Sequence, residues 1–305
     1  MSRSLPPEVL DLVVGYFHDK PATLKACCLV SKSWRTVGAG VYVFDQTTTM
    51  SSSLPPIPDI LDLIVDHLHD QPTTLKTCCL VSKSWVPRTR RHLFALVRFK
   101  SGPSDLESWM KAFPDPSNSP AHHTRSLQLS GSKAVAAAIS DAYPWVQSFD
   151  RIVDLLVLTL DGDDRHISFT RLHGLSPTLK SLHIYYLLIP PPEILNFICS
   201  FPLLEDLSLF STQFLVVKNT DEWDAPPTSP KFTGTLILSD NDPRVTRKLL
   251  DLPGGLRFSK VSALCPHRDG DLTTRLVSMC SGTLESLRIG FDGGTFSMAL
   301  RLTGT

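Results

Sequence analysis

Short apolar segments recur along the later two thirds of the chain at nearly constant intervals, and this recurrence limits the possible folds more than any other feature. Their last core positions fall at Leu129, Leu158, Ile184, Leu209, Leu238, Leu264 and Ile289, separated by 29, 26, 25, 29, 26 and 25 residues. Each segment is of strand length and rich in Leu, Ile and Val. The stretches between them read as helices over residues 193–199, 244–250 and 272–279. One strand plus one helix of this size cannot bury its own leucines, so each unit must be covered by the next.

Three segments carry the spacing Leu-x-x-Leu-x-Leu closely: Leu179, Leu182 and Ile184; Leu204, Leu207 and Leu209; Leu284, Leu287 and Ile289. With the period, this resembles the leucine-rich repeat, and the resemblance implies a curved α/β solenoid over residues 122–305. The Asn or Cys that usually follows the repeat's strand is absent, with Tyr186 or Ser211 in its neighbourhood. In such a solenoid the residue between the last two core positions faces the concave surface. Here those residues are Gln128, Val157, His183, Ser208, Ile237, Ala263 and Arg288, and Gln128, His183, Ser208 and Arg288 are the candidate target-binding positions. The set is mixed and nearly neutral, which argues against a phosphate-specific pocket. A further strand is due near about position 314 by the same period, so the repeat region is expected to be truncated at Thr305.

The front of the chain is organised differently. At a constant offset of 51, residues 18–34 and 69–85 agree at 14 of 17 positions, and both contain Cys-Cys-Leu-Val-Ser-Lys-Ser-Trp. Agreement this dense marks an internal duplication. In the second copy Ile60, Leu63, Ile64, His67 and Leu68 make a one-sided helical stripe. Asp70 and Pro72 start a second helix carrying Leu75, Cys78, Cys79, Leu80 and Val81, and residues 87–94 predict a third, with Leu93, Phe94 and Leu96 on its buried side. The first copy has the same two opening helices, then runs into the glycine-interrupted, β-branched residues 36–44. Met50 followed by Ser51, Ser52 and Ser53 reads like a fresh start. Residues 1–49 are therefore expected to be a degenerate or partial copy, and residues 50–99 the working module.

These residues resemble the F-box. Its Leu-Pro-x-Glu-Ile-Leu opening is matched by Leu5-Pro6-Pro7-Glu8-Val9-Leu10, and its spaced aliphatics and closing Val-Cys-Lys-x-Trp by Leu68, Leu75, Leu80, Val81, Lys83 and Trp85. In the second copy Asp59 stands for the usual Glu, and Ser82 for the usual Cys. F-box proteins dock on a Skp-family adaptor that a cullin–RING ubiquitin ligase holds. The resemblance implies that Pro58, Ile60, Leu61, Ile64, Leu68, Leu80, Val81 and Trp85 form the adaptor face or its supporting core. It further resembles the fungal F-box-like type, in which a divergent repeat body follows the module.

Composition excludes several alternatives. Thirty basic residues balance thirty acidic ones, so no basic surplus points to nucleic acid. No stretch reaches the roughly 20 apolar residues of a membrane span, and no apolar signal core follows Met1. Seven cysteines, with Cys27-Cys28 and Cys78-Cys79 adjacent, do not have metal-site spacing and suit small core residues in a reducing compartment. Asp161-Gly162-Asp163-Asp164 lacks the further ligands of a calcium loop, His122-His123 stands without a ligand cluster, and the glycines at 293 and 294 belong to no phosphate loop. No nucleophile motif is present.

The expected fold class is thus α+β overall: small all-α F-box modules, then an α/β leucine-rich-repeat-like solenoid. The expected divisions are residues 1–49, 50–99, a linker at 100–121 that holds a short helix over residues 105–112, and a substrate-binding region at 122–305. The expected function is that of a substrate-recognition subunit of a Skp–cullin–F-box ubiquitin ligase. It would not be an enzyme, would carry no cofactor or metal, and would bind an unknown protein target in cytoplasm or nucleus. The other function compatible with the residues is a leucine-rich-repeat interaction scaffold with no ligase role.

Overall fold

In the computed structural model, the described residues are 62–63, 65–81, 83–100, 103–131, 146–158, 169–172, 175, 177–186, 188–189, 191–214, 230, 232–265 and 270–291. The first duplicated copy, with Pro58, Ile60, Leu61 and Ile64 of the second, lies outside them. The chain divides into two compact units, Met1–Ala95 and Leu96–Thr305.

In the first unit, α1 (Pro72–Val81) and α2 (Val86–Leu93) are joined by a 3-10 turn at Lys83–Trp85. Pro87 sits in the first turn of α2, where the missing N–H costs nothing, and Arg90, Arg91 and His92 fill its last turn, where the helix dipole favours cations. Val65, Leu68, Leu75, Cys78 and Trp85 are buried. Thr89 joins them because its hydroxyl donates to the carbonyls of Trp85 (2.6 Å) and Val86 (3.1 Å). Asp66 ties the preceding helical residues to α2. Arg88 Nε donates to its Oδ1 at 2.7 Å, Arg88 Nη2 donates to its Oδ2, and His92 Nε2 lies 2.7 Å from Oδ1.

The second unit is built on β1 (Leu96–Phe99), β2 (Ser126–Ser130), β3 (Asp154–Leu158), β4 (Ser181–Tyr185), β6 (Asp206–Phe210), β8 (Thr235–Ser239), β9 (Lys260–Cys265) and β10 (Ser286–Phe291). They form one eight-stranded sheet in chain order, and every pair is parallel. Two short strands, β5 (Leu188–Ile189) and β7 (Gln213–Phe214), pair separately. Between strands run α3 (Pro103–Ala112), α4 (Pro191–Cys199), α5 (Pro243–Leu250) and α6 (Gly270–Cys280). All four lie within two residues of the helices predicted from the sequence. The start of α5 is set locally: the Asp242 carboxylate caps it by accepting from Arg244 N at 2.9 Å, and Pro243 follows.

Leucines at alternate strand positions point to the helices. Leu127, Leu129, Leu155, Val157, Leu182, Ile184, Leu207, Leu209, Leu236 and Leu238 share one core with Ile194, Phe197, Val245, Leu249 and Leu276 of the helices. Parallel pairing is reinforced at the strand starts by carbonyls that each accept two N–H groups. Arg125 O takes Val153 N (2.8 Å) and Asp154 N (3.0 Å), Val153 O takes Lys180 N (2.8 Å) and Ser181 N (2.9 Å), and Lys180 O takes Glu205 N (2.8 Å) and Asp206 N (2.9 Å). At the strand exits Gly131, Tyr186, Ser211 and Asp240 all have positive φ, and each donates its N–H to a carbonyl of the next strand. That left-handed step costs a non-glycine residue energy, which the extra ladder bond offsets.

The fold class is therefore α/β, organised around a single all-parallel sheet with helices. This corrects the expected α+β organisation of a small all-α module followed by a leucine-rich-repeat solenoid. The third expected helix stops at Leu93, and Leu96 does not join its buried side. Instead Leu96–Phe99 pairs with β2 as the first strand, with Val97 and Phe99 buried and Leu96 and Arg98 exposed. The short helix expected within the linker, over residues 105–112, is α3; its Leu106 is in the core and its Trp109 packs edge-on to Phe99 with ring centroids 5.9 Å apart. Among the described residues no helix is long and apolar enough to cross a membrane.

Candidate functional site

Strand pairing brings residues from eight chain segments into straight rows on the sheet face opposite the helices. The central row is Arg98, Gln128, Leu156, His183, Ser208, Ile237, Ser262 and Arg288. All four candidate target-binding residues fall on it, although Ser208 is only 2% exposed. Two further members of the expected concave set do not. Val157 and Ala263 are buried among the helices, and Leu156 and Ser262 take their places in the row.

One row toward the strand starts, polar side chains link neighbouring strands. Ser126 Oγ donates to Asp154 Oδ2 at 2.8 Å, and Ser181 Oγ donates to Asp206 Oδ2 at 3.2 Å. His183 Nε2 lies 3.4 Å from Asp154 Oδ1, a distance suited to an ion pair but too long for a strong hydrogen bond. His183, outweighing burial, and then Ser126 hold the Asp154 carboxyl below its usual range. Asp206 Oδ1 accepts from Thr235 N at 2.6 Å, while Glu205 O takes only Gly234 N (3.1 Å). Here a carboxylate replaces the second N–H acceptance seen at the other strand starts.

One row toward the strand exits, the face is apolar. Tyr185 and Phe210 stack with centroids 4.4 Å apart and planes 4° from parallel. Leu158 precedes them in the row, and Leu264, 40% exposed, lies beyond Ser239. Beside the stack Tyr186 is 56% exposed. Burial beneath this face pushes the Tyr185 hydroxyl above its ordinary value. The arrangement can offer shape, stacking and charge to a macromolecule.

Behind the exits of β6 and β8 lies a residue the sequence reading missed. Asn241 is buried; it accepts from Thr212 N at 2.9 Å and donates to Leu209 O at 2.7 Å. The sequence carries it as Leu236-x-Leu238-x-x-Asn241, contrary to the expected absence of an Asn after the strands.

In the first unit, Leu68 and Trp85, expected in the adaptor face or its supporting core, are buried. Leu80 is 88% exposed although Leu75 and Cys78 on the same helix are buried, and Leu63, of the expected one-sided stripe, is 60% exposed. Val81 closes α1. Among the described residues no three His, Cys, Asp or Glu side chains are grouped to hold a metal. His122 lines an open depression of about 550 Å³ with Ser117, Gln147, Asp150 and Arg151. Its Nδ1 lies 2.6 Å from Ser119 O, so the ring is tied to its own turn.

The chain matches no family model and no curated protein.

Proposed function

We propose that this chain is a substrate-recognition subunit of a Skp–cullin–F-box ubiquitin ligase. Residues 50–99 dock on the Skp-family adaptor, and the outer sheet face holds a target protein. The observation that carries the reading is Leu80, a large apolar side chain left 88% exposed within the segment that resembles the F-box. Leu63, 60% exposed, adds to it. Exposed apolar side chains within a segment of such resemblance suit a partner surface. The chain does no covalent chemistry in this role. It raises the effective concentration of target beside a loaded conjugating enzyme. The free Cys78, Cys79, Cys199 and Cys280 suit a reducing location, cytoplasm or nucleus.

Coexpression of the full chain with a Skp-family adaptor and a cullin tests this. Wild type should copurify both, and Leu80→Asp with Leu63→Asp should lose both with an unchanged melting temperature. Undiminished capture by the double variant refutes the docking surface. Adaptor captured without cullin favours an interaction scaffold.

A further inference from the structure

The charges on the outer sheet face are sorted in a way that specifies what the face can hold. Its acidic side chains are occupied by their own strands. Asp154 is engaged by Ser126 and His183, and Asp206 by Ser181 and Thr235 N. Its basic side chains are not: among the described residues Arg98, Lys260 and Arg288 have no hydrogen-bond or ion-pair partner for their charged ends. All three are exposed, and they stand at the two borders of the sheet: Arg98 on β1, Lys260 and Arg288 on β9 and β10. Between the borders lie Leu156, Leu158, Tyr185, Phe210 and Ile237, half-buried on the same face.

The geometry points to a protein target segment that is apolar in its middle and acidic at both ends, laid across the strands. This rests on the reading of the face as a target site and gives that target a chemistry. Arg98 and Arg288 share one register row seven strand spacings apart, about 34 Å along the sheet. A helix of about 22 residues covers that span. A uniformly acidic segment would meet apolar side chains in the middle and desolvate its charges without compensation. A basic segment would place like charges against both borders. β1 supplies one of the two basic borders; the expected concave set begins at Gln128, so it contains Arg288 but not Arg98.

The experiment uses the full chain and fluorescein-labelled peptides of about 22 residues. One has glutamates at both ends and a leucine- and phenylalanine-rich middle, one has lysines at the ends, and one has the glutamate ends but a serine-rich middle. Fluorescence anisotropy should show the first binding at least about tenfold more tightly than either other. Arg98→Glu with Arg288→Glu, both at exposed positions, should reverse the preference between glutamate and lysine ends while leaving the melting curve unchanged. Equal binding of glutamate- and lysine-ended peptides, an affinity indifferent to the charge reversals, or undiminished binding of the serine-rich peptide overturns the proposal. Adaptor copurification by the same charge-reversed variant reads the ligase assignment separately. Wild-type protein that captures the adaptor but binds glutamate- and lysine-ended peptides equally would sink the target chemistry alone.

Discussion

Gly234 carries no side chain where Asp206 stands: a β-carbon at Gly234 would fall 2.3 Å from Asp206 Oδ1 and 3.1 Å from Glu205 O. The same Oδ1 accepts the Thr235 N–H at 2.6 Å, so it cannot swing aside without breaking the bond that starts β8. Gly234→Ala is expected to destabilise the protein by about 1–3 kcal/mol, the usual cost of forced overpacking. In Asp206→Ala the same alanine should cost less. A double-mutant cycle read by thermal melts checks this, and additive effects would exclude the coupling.

Asn241 holds two turns together from a buried position. Removing its side chain leaves Thr212 N and Leu209 O without that partner. Asn241→Ala should therefore cost about 2–3 kcal/mol in chemical denaturation, more than an exposed Asn on the same unit.

Asp66 makes the first unit sensitive to acid. Its carboxyl is held down to about 2, chiefly by the Arg88 hydrogen bonds acting against burial, with His92 adding to the effect. An unfolded Asp titrates near about 3.9, so the stabilising contribution is present above that pH and is lost as pH falls toward 2. The carboxylate is more than a third exposed, so solvent screening limits the effect to about 1 kcal/mol or less. Melts of wild type and Asp66→Asn should differ at pH 6 and converge as pH drops below 4. A constant difference would rule out the titration.

Burial pushes the Cys78 thiol up to about 11 and the Cys199 thiol to about 12, and raises Cys280 as well. At pH 8 these groups are almost wholly protonated and poor nucleophiles. Iodoacetamide followed by peptide mass spectrometry should label them slowly in the folded protein and readily in denaturant. Rapid labelling of the half-buried Cys199 in the folded state would contradict the raised pKa of its thiol.

The sequence revealed strands where polar and apolar residues alternate, as in Ser181-Leu182-His183-Ile184-Tyr185. It failed where both faces are apolar. Asp154-Leu155-Leu156-Val157-Leu158 offers no alternation, so either phase satisfies the pattern, and only packing against the helices puts Leu155 and Val157 inside. In β9 the larger Leu264 invites a core assignment, yet the smaller Val261 and Ala263 face inward. At β1, Leu93 and Leu96 continue a helical spacing, while Val97 and Phe99 obey a strand's; pairing with β2 settles the conflict. The position of the central outer row could thus be anticipated for five residues, Gln128, His183, Ser208, Ile237 and Arg288. Their charge arrangement could not, because it depends on which strands form the borders.

Strand order that follows chain order has a consequence for how the protein is made. Each strand of the main sheet finds its earlier neighbour already present when it leaves the ribosome, and each connection is closed within a few tens of residues. No strand has to wait for a distant one or be threaded between two that have already paired. The sheet can therefore grow by accretion: the outer edge of β1 stays as the fixed border while the growing edge advances from β2 to β10, so synthesis presents one new edge at a time to other chains.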